Sequence, residues 1–203
     1  MIERVIAIAK QASKEIIKIY NSDNFNTEIK DDDSPVTKAD LIANKIIVDG
    51  LKEISNYPII TEEEPVGYEL RKHWSKFWLV DPLDGTKDFI AKNDEFTINI
   101  ALVENNKPIL GVVYVPVQND VYYAELRKGA YKNENKIYNS SVREDLIASD
   151  SNFHSTPAVD AFFQKNNIKN IKKYGSSIKI CKLSEGIIDV YPRLNGTKEW
   201  DTA

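Results

Sequence analysis

Apolar residues return at helical spacing through the first twenty positions: Ile2, Val5, Ile6, Ala9, Ala12, Ile16 and Ile19 share one side, while Lys10, Lys14, Glu15 and Lys18 fall on the other. A stripe of this kind predicts an amphipathic helix that packs on a neighbouring layer and carries no chemistry. After a polar loop through Asp31, Asp32 and Asp33, the pattern resumes over 37–54 with Leu41, Ile42, Ile46, Leu51 and Ile54, predicting a second helix. The rhythm then changes. Residues 57–61 and 77–80 are short apolar runs, each ending at carboxylates, Glu62-Glu63-Glu64 and Asp81. Buried strands delivering acids at their C-terminal ends are the expectation. Residues 96–103 alternate, Glu104-Asn105-Asn106-Lys107 is a turn, and 109–115 with 120–126 complete an antiparallel meander. From Leu146 onward a strand, a helix over 158–165, a strand over 168–174, a helix over 177–185 and a strand over 187–191 follow in α/β alternation.

No repeat, low-complexity tract or linker divides the chain. Residues 1–203 read as a single unit, with helices and antiparallel sheet to about residue 145 and an α/β half over about 146–203. At 203 residues, with 42% hydrophobic and 29% charged positions, the chain can bury a substantial core. Its 27 basic and 31 acidic residues leave a net charge of −4, which excludes a nucleic-acid polymer as partner and obliges any anionic substrate to find local positive charge. One cysteine, Cys181, and two histidines, His73 and His154, make neither an internal disulfide nor a Cys/His zinc site, so any metal here is held by oxygen. The charges in the first twenty residues rule out a signal peptide and a membrane span there, leaving a cytoplasmic location as the expectation.

The densest chemistry lies in Trp78-Leu79-Val80-Asp81-Pro82-Leu83-Asp84-Gly85-Thr86, an apolar strand running into two acids, a glycine and a hydroxyl. Two carboxylates and a carbonyl on one turn suit magnesium, which demands hard oxygen ligands, and Gly85 with Thr86 can offer backbone N–H groups to a phosphate where a helix starts. Taken alone the segment also reads as a plain turn, since Asp-Pro and Asp-Gly are turn dipeptides. Glu62 to Glu64 alone read as a solvated acidic loop. Glu62, however, follows its strand as Asp81 follows its own, and parallel neighbours would bring both to one sheet edge, where cations relieve their repulsion. Asp40 has two readings: Thr37 and Asp40 form a capping box opening the second helix, or Asp40 is a working acid. Cys181, Tyr114, Tyr122, Tyr123, Trp74 and Trp78 read as packing.

Together, Ser34-Pro35-Val36-Thr37-Lys38-Ala39-Asp40, Thr61-Glu62-Glu63, Asp81-Pro82-Leu83-Asp84-Gly85-Thr86 and Trp200-Asp201-Thr202-Ala203 resemble the four motifs of the inositol monophosphatase superfamily, in that family's order. Gly111-Val112-Val113-Tyr114, Gly175-Ser176-Ser177-Ile178-Lys179 and Tyr191-Pro192-Arg193 look like its 3′(2′),5′-bisphosphate nucleotidase branch, in which Thr61 is usually Ser. The resemblance covers essentially the whole chain. It implies a layered α/β/α/β/α sandwich and magnesium-dependent, lithium-sensitive hydrolysis of phosphate monoesters, with two or more ions per site. By that resemblance Glu62, Asp81, the Leu83 carbonyl, Asp84 and Asp201 hold the metals. Thr86 with Asp40 orients and deprotonates the attacking water. Glu62, Leu83, Asp84, Gly85, Thr86 and Asp201 line the substrate site, and Ser176, Lys179 and Arg193 meet the nucleotide and its second phosphate. The implied reaction releases the 3′-phosphate of adenosine 3′,5′-bisphosphate, the by-product clearance step of sulfate activation. An inositol or sugar monophosphatase and a non-catalytic metal- or nucleotide-binding fragment are the alternatives. Family members continue past the Trp-Asp motif with a helix and further sheet, so the C-terminal elements are expected to be missing from these 203 residues. A homodimer and a peripheral seat on the cytoplasmic membrane face are both compatible with this reading.

Overall fold

In the computed structural model, which describes residues 1–22, 27–29, 35–139 and 143–203, the N-terminal apolar stripe is one helix, α1 (Ile2–Tyr20), with Val5, Ala9, Ala12 and Ile16 fully buried. A short antiparallel pair, β1 (Glu28–Ile29) and β2 (Pro35–Val36), leads into α2 (Lys38–Ile54). The predicted loop through Asp31, Asp32 and Asp33, and Ser34 of the first motif, lie outside the described residues. Thr37 opens α2 as its cap, accepting the Ala39 N–H at 3.1 Å. At the other end Ser55 leaves in extended backbone, and its hydroxyl accepts from the buried Trp78 indole at 2.8 Å, tying the helix to the sheet beneath.

That sheet is built from β3 (Ile59–Thr61), β4 (Lys76–Asp84), β5 (Thr97–Glu104), β6 (Lys107–Val115), β7 (Asp120–Glu125), β8 (Gly129–Lys132) and β9 (Asn135–Ile137), side by side in chain order. Helix α3 (Tyr68–Arg71) precedes β4 and helix α4 (Thr86–Ile90) follows it. The β3–β4 pair is parallel and every later pair antiparallel. Two corrections to the sequence reading follow. The Asp81–Asp84 segment is no turn: β4 runs through it, Asp81 opposite Asn99 and Asp84 opposite Thr97, with a bulge between that takes Pro82, a residue with no N–H for the ladder. Strands β8 and β9 were not foreseen, because they are short, half-exposed and carry no apolar alternation.

The C-terminal part has β10 (Ile147–Ser151), α5 (Pro157–Lys165), β11 (Asn170–Tyr174), α6 (Ile178–Ser184) and a 3-10 turn, Glu199–Asp201. β10 and β11 pair in parallel. The strand predicted over 187–191 shrinks to one bridge, Val190 against Ala148, because the Asp189 carboxylate takes the Ile147 N–H at 2.8 Å and Pro192 ends the run.

Alternation along the strands sorts the layers. Trp78, Val80, Ile98, Ile100, Val112 and Tyr114 face α1 and α2 in the main core. On the opposite face Val115 and Tyr122 pack on Ile178 and Cys181 of α6. Helix α6 touches β10, and α5 covers the far side of that strand with Val159 and Phe163 against Ala148 and Ile168. The order across the molecule is therefore α/β/α/β/α. Among the described residues no helix is long and apolar enough to cross a membrane.

Candidate active site

Parallel pairing puts Thr61 opposite Val80, and the Glu62 N–H continues the ladder to the Val80 carbonyl at 3.1 Å, so Glu62, just past the end of β3, comes alongside Asp81, which β4 carries on toward Asp84. Asp81 is 1% exposed, and its Oδ1 accepts the Leu83 N–H at 3.1 Å. Burial first, then the charges of Asp84, Glu62, Asp201 and Asp40, hold its carboxyl well above the usual carboxylate range. Asp201, on the 3-10 turn, is pushed up to about 6 by burial, against the Lys198 N–H that its Oδ2 accepts at 2.9 Å and with Asp84 and Glu62 adding to the rise. Among the described residues no recorded ion pair compensates Asp40, Asp81, Asp84 or Asp201. Buried or half-buried and mutually repelling, an all-oxygen donor set fits a hard divalent cation and not zinc or copper. Nor do three of these side chains close into a cage, among the described residues.

Asp40, 2% exposed, divides its two oxygens. Oδ2 accepts the Thr37 N–H at 2.8 Å and the Thr37 hydroxyl at 2.6 Å, completing the capping box, while Oδ1 accepts the Thr86 hydroxyl at 3.2 Å. Both sequence readings of Asp40 thus have their geometry, one on each oxygen. Burial raises its carboxyl to about 6, the Thr37 hydrogen bonds opposing and the Glu63 charge assisting. Gly85, at φ 92°, turns the chain from β4 into α4, in the left-handed region that favours glycine. A side chain there would also meet Ser176 Cβ at 3.1 Å and the Glu95 carbonyl at 3.2 Å.

One cleft of about 680 Å³ is lined by every predicted site residue except Asp40, which meets it through the Thr86 hydroxyl. Its other lining is basic. Lys179, only 4% exposed, donates to the Tyr174 carbonyl at 3.0 Å and lies 5.4 Å from the centre of the Tyr191 ring; burial lowers its pKa, while Asp84 and Asp88 raise it. Arg193 donates to the Gly196 carbonyl at 3.4 Å, and its buried Nε has no hydrogen-bond partner among the described residues. His154, Lys87, Asp88 and Tyr191 line the same cleft and were missed from sequence. His154 has its pKa lowered by burial and then by Lys87, Arg193 and Lys179, a measure of how concentrated the positive charge is. The signal that could have found it is its place just past the C-terminal end of β10, the strand end at which sites of α/β sheets gather.

All of residues 1–203 match the model of the inositol monophosphatase family. The chain is 41% identical over 209 residues to the 3′(2′),5′-bisphosphate nucleotidase CysQ of Escherichia coli strain K12, covering 100% of this chain and 84% of that protein. It is 42% identical over 209 residues to the protein of the same name from Buchnera aphidicola subsp. Acyrthosiphon pisum, covering 100% and 78%. The crystal structure of CysQ from Bacteroides thetaiotaomicron superposes with a TM-score of 0.85 at 39% identity, over 98% of this chain and 82% of that one.

Proposed function

The chain belongs to the inositol monophosphatase family, and on that footing we propose that it is a magnesium-dependent phosphatase releasing the 3′-phosphate of adenosine 3′,5′-bisphosphate to give AMP. The observation that carries this reading is the cleft itself, which joins a cluster of mutually repelling carboxylates to the buried Lys179 and the half-buried Arg193. A monophosphate needs the acidic end; a bisphosphate uses both. The names of the curated relatives support the same substrate class. A cytoplasmic place of action and clearance of the by-product of sulfate activation belong to the same proposal.

Glu62, Asp81, Asp84, Asp201 and the Leu83 carbonyl would hold the magnesium ions, two or more of them. When bound, magnesium supplies charge neutralisation at the phosphoryl oxygens and at the departing ribose oxygen. The Thr86 hydroxyl takes the proton of the attacking water and passes its own to Asp40 Oδ1, the oxygen that the cap leaves available. A carboxyl raised to about 6 accepts a proton more readily than an ordinary aspartate, which suits a base working near neutrality. The water oxygen bonds to phosphorus, the bond from phosphorus to the 3′-oxygen breaks, and that oxygen is protonated from solvent. Gly85 and Thr86 offer their N–H groups to the reacting phosphate, while Ser176, Lys179 and Arg193 hold the 5′-phosphate.

A phosphate-release panel tests this directly, comparing adenosine 3′,5′-bisphosphate, its 5′-phosphosulfate relative and inositol phosphate, each with magnesium and with EDTA. The bisphosphate should have the highest kcat/KM, and EDTA should abolish turnover. Equal kcat/KM for inositol phosphate would make the protein a general monophosphatase, and no release from any substrate would leave a binding protein.

A further inference from the structure

Ser177 stands between Ser176 and Lys179 in the chain, yet its polar atoms turn toward Asp84. Its backbone N–H donates to Asp84 Oδ2 at 2.6 Å and its hydroxyl donates to the same oxygen at 2.7 Å, with the Asn99 amide more distant at 3.4 Å. The hydrogen bonds recorded for Asp84 among the described residues all fall on Oδ2. The Ser177 hydroxyl is itself fixed, 2.9 Å from the Thr97 hydroxyl and 2.8 Å from Asn99 Oδ1, and Ser177, Thr97 and Asn99 are all buried.

We propose that Ser177 is the positioning residue of Asp84, saturating Oδ2 and leaving Oδ1 as the one oxygen free to ligate; this rests on reading Asp84 as a metal ligand. Two short donors on one carboxylate oxygen fix the rotation of the group before a cation arrives, so binding does not have to order it. Because Ser177 opens α6, the same rigid turn that carries Ser176 and Lys179 also sets this ligand. Ser177 thereby couples the metal end of the cleft to its basic end.

Titration of the purified protein with Mn²⁺, counting free ion by electron paramagnetic resonance, tests this without turnover. Ser177→Ala keeps the N–H and loses the hydroxyl, and its Kd for Mn²⁺ should rise about 10- to 100-fold. Ser177→Thr, which keeps the hydroxyl, should recover most of the affinity. Ser184→Ala, on the same helix but bonded to the Cys181 carbonyl at 2.7 Å, should bind as the parent does. Melting in EDTA verifies that the variants are folded; should Ser177→Ala fail to fold, Asn99→Ala removes the amide that donates to Asp84 Oδ2 at 3.4 Å and should weaken Mn²⁺ binding in the same direction. Parent-like affinity in the folded alanine variant overturns the inference. A parent that binds no Mn²⁺ overturns it together with the metal reading, whereas a parent that binds Mn²⁺ and leaves the bisphosphate intact sinks only the proposed function.

Discussion

Asp40 shows how one side chain can satisfy two demands: its oxygens are separate acceptors, and the helix start uses only one of them. Asp40→Asn replaces one of these acceptors by an NH2 donor and cannot take a proton. Turnover at saturating magnesium should fall about 10² to 10⁴-fold, as for loss of a general base, and stability should fall by about 1 kcal/mol, as for a weakened cap. Normal turnover with a lowered urea midpoint would leave Asp40 as a cap alone. The same residue gives a pH signature. Its native carboxyl titrates at about 6 instead of 3.8, so the folded state keeps a proton that the unfolded chain has already lost. Its contribution to stability is therefore greatest at low pH and is lost as pH rises from about 4 through 6. Relative to Asp40→Asn, which does not titrate, the metal-free parent should lose stability across that window. Urea midpoints in EDTA measure this difference, and a constant or growing advantage for the parent would contradict it.

At the scale of elements, the site depends on how closely the turn before α6 approaches the segment around α4. Gly175 donates its N–H to the Glu95 carboxylate at 2.8 Å, and a Cβ on it would lie 2.5 Å from the Glu95 carbonyl and 2.6 Å from Asp88 Cγ. Asn152 ties the same acids together, donating to Asp88 at 2.9 Å and to Glu95 at 2.6 Å. Gly175→Ala must push α6 outward, at a cost of about 1–3 kcal/mol for an overpacked contact. Since Ser176 and Lys179 travel with the helix, KM for the bisphosphate should rise along with the drop in urea midpoint. A variant with parent-like stability and KM would mean that the turn can yield without cost.

The cleft belongs to the molecule as a whole, since its acids come from β3, β4 and the 3-10 turn and its cations from α6 and the loop after it. Lys179→Ala and Arg193→Ala should each cost charge-assisted hydrogen bonds of about 1.5 to 3 kcal/mol, or about 10- to 150-fold in binding of the bisphosphate. With inositol phosphate the loss should be small, because that substrate brings no second phosphate. Arg193→Lys keeps the charge and loses the planar fork, so it should fall between parent and alanine. Matched kinetics on both substrates decide the matter: equal losses would assign these cations to the fold or to the reacting phosphate.

What the sequence determined by itself is whatever depends on near neighbours. The stripes of α1 and α2, the Thr37 cap, the meander and the acids at the ends of β3 and β4 all follow from periodicity and spacing within a few residues. The ordered motifs likewise made most of the cleft lining legible. The tertiary structure decided what depends on partners far along the chain. Asp189 replaced a strand by a side-chain contact to Ile147, 42 residues earlier, and the pairing of Thr86 with Asp40 that the resemblance implied fell on the one oxygen the cap does not use. Ser177 reached Asp84 across 93 residues, and His154 entered the cleft from the end of β10. No local pattern encodes such meetings, because they arise only when the layers stack and each buried polar group must find a partner among the surfaces brought against it.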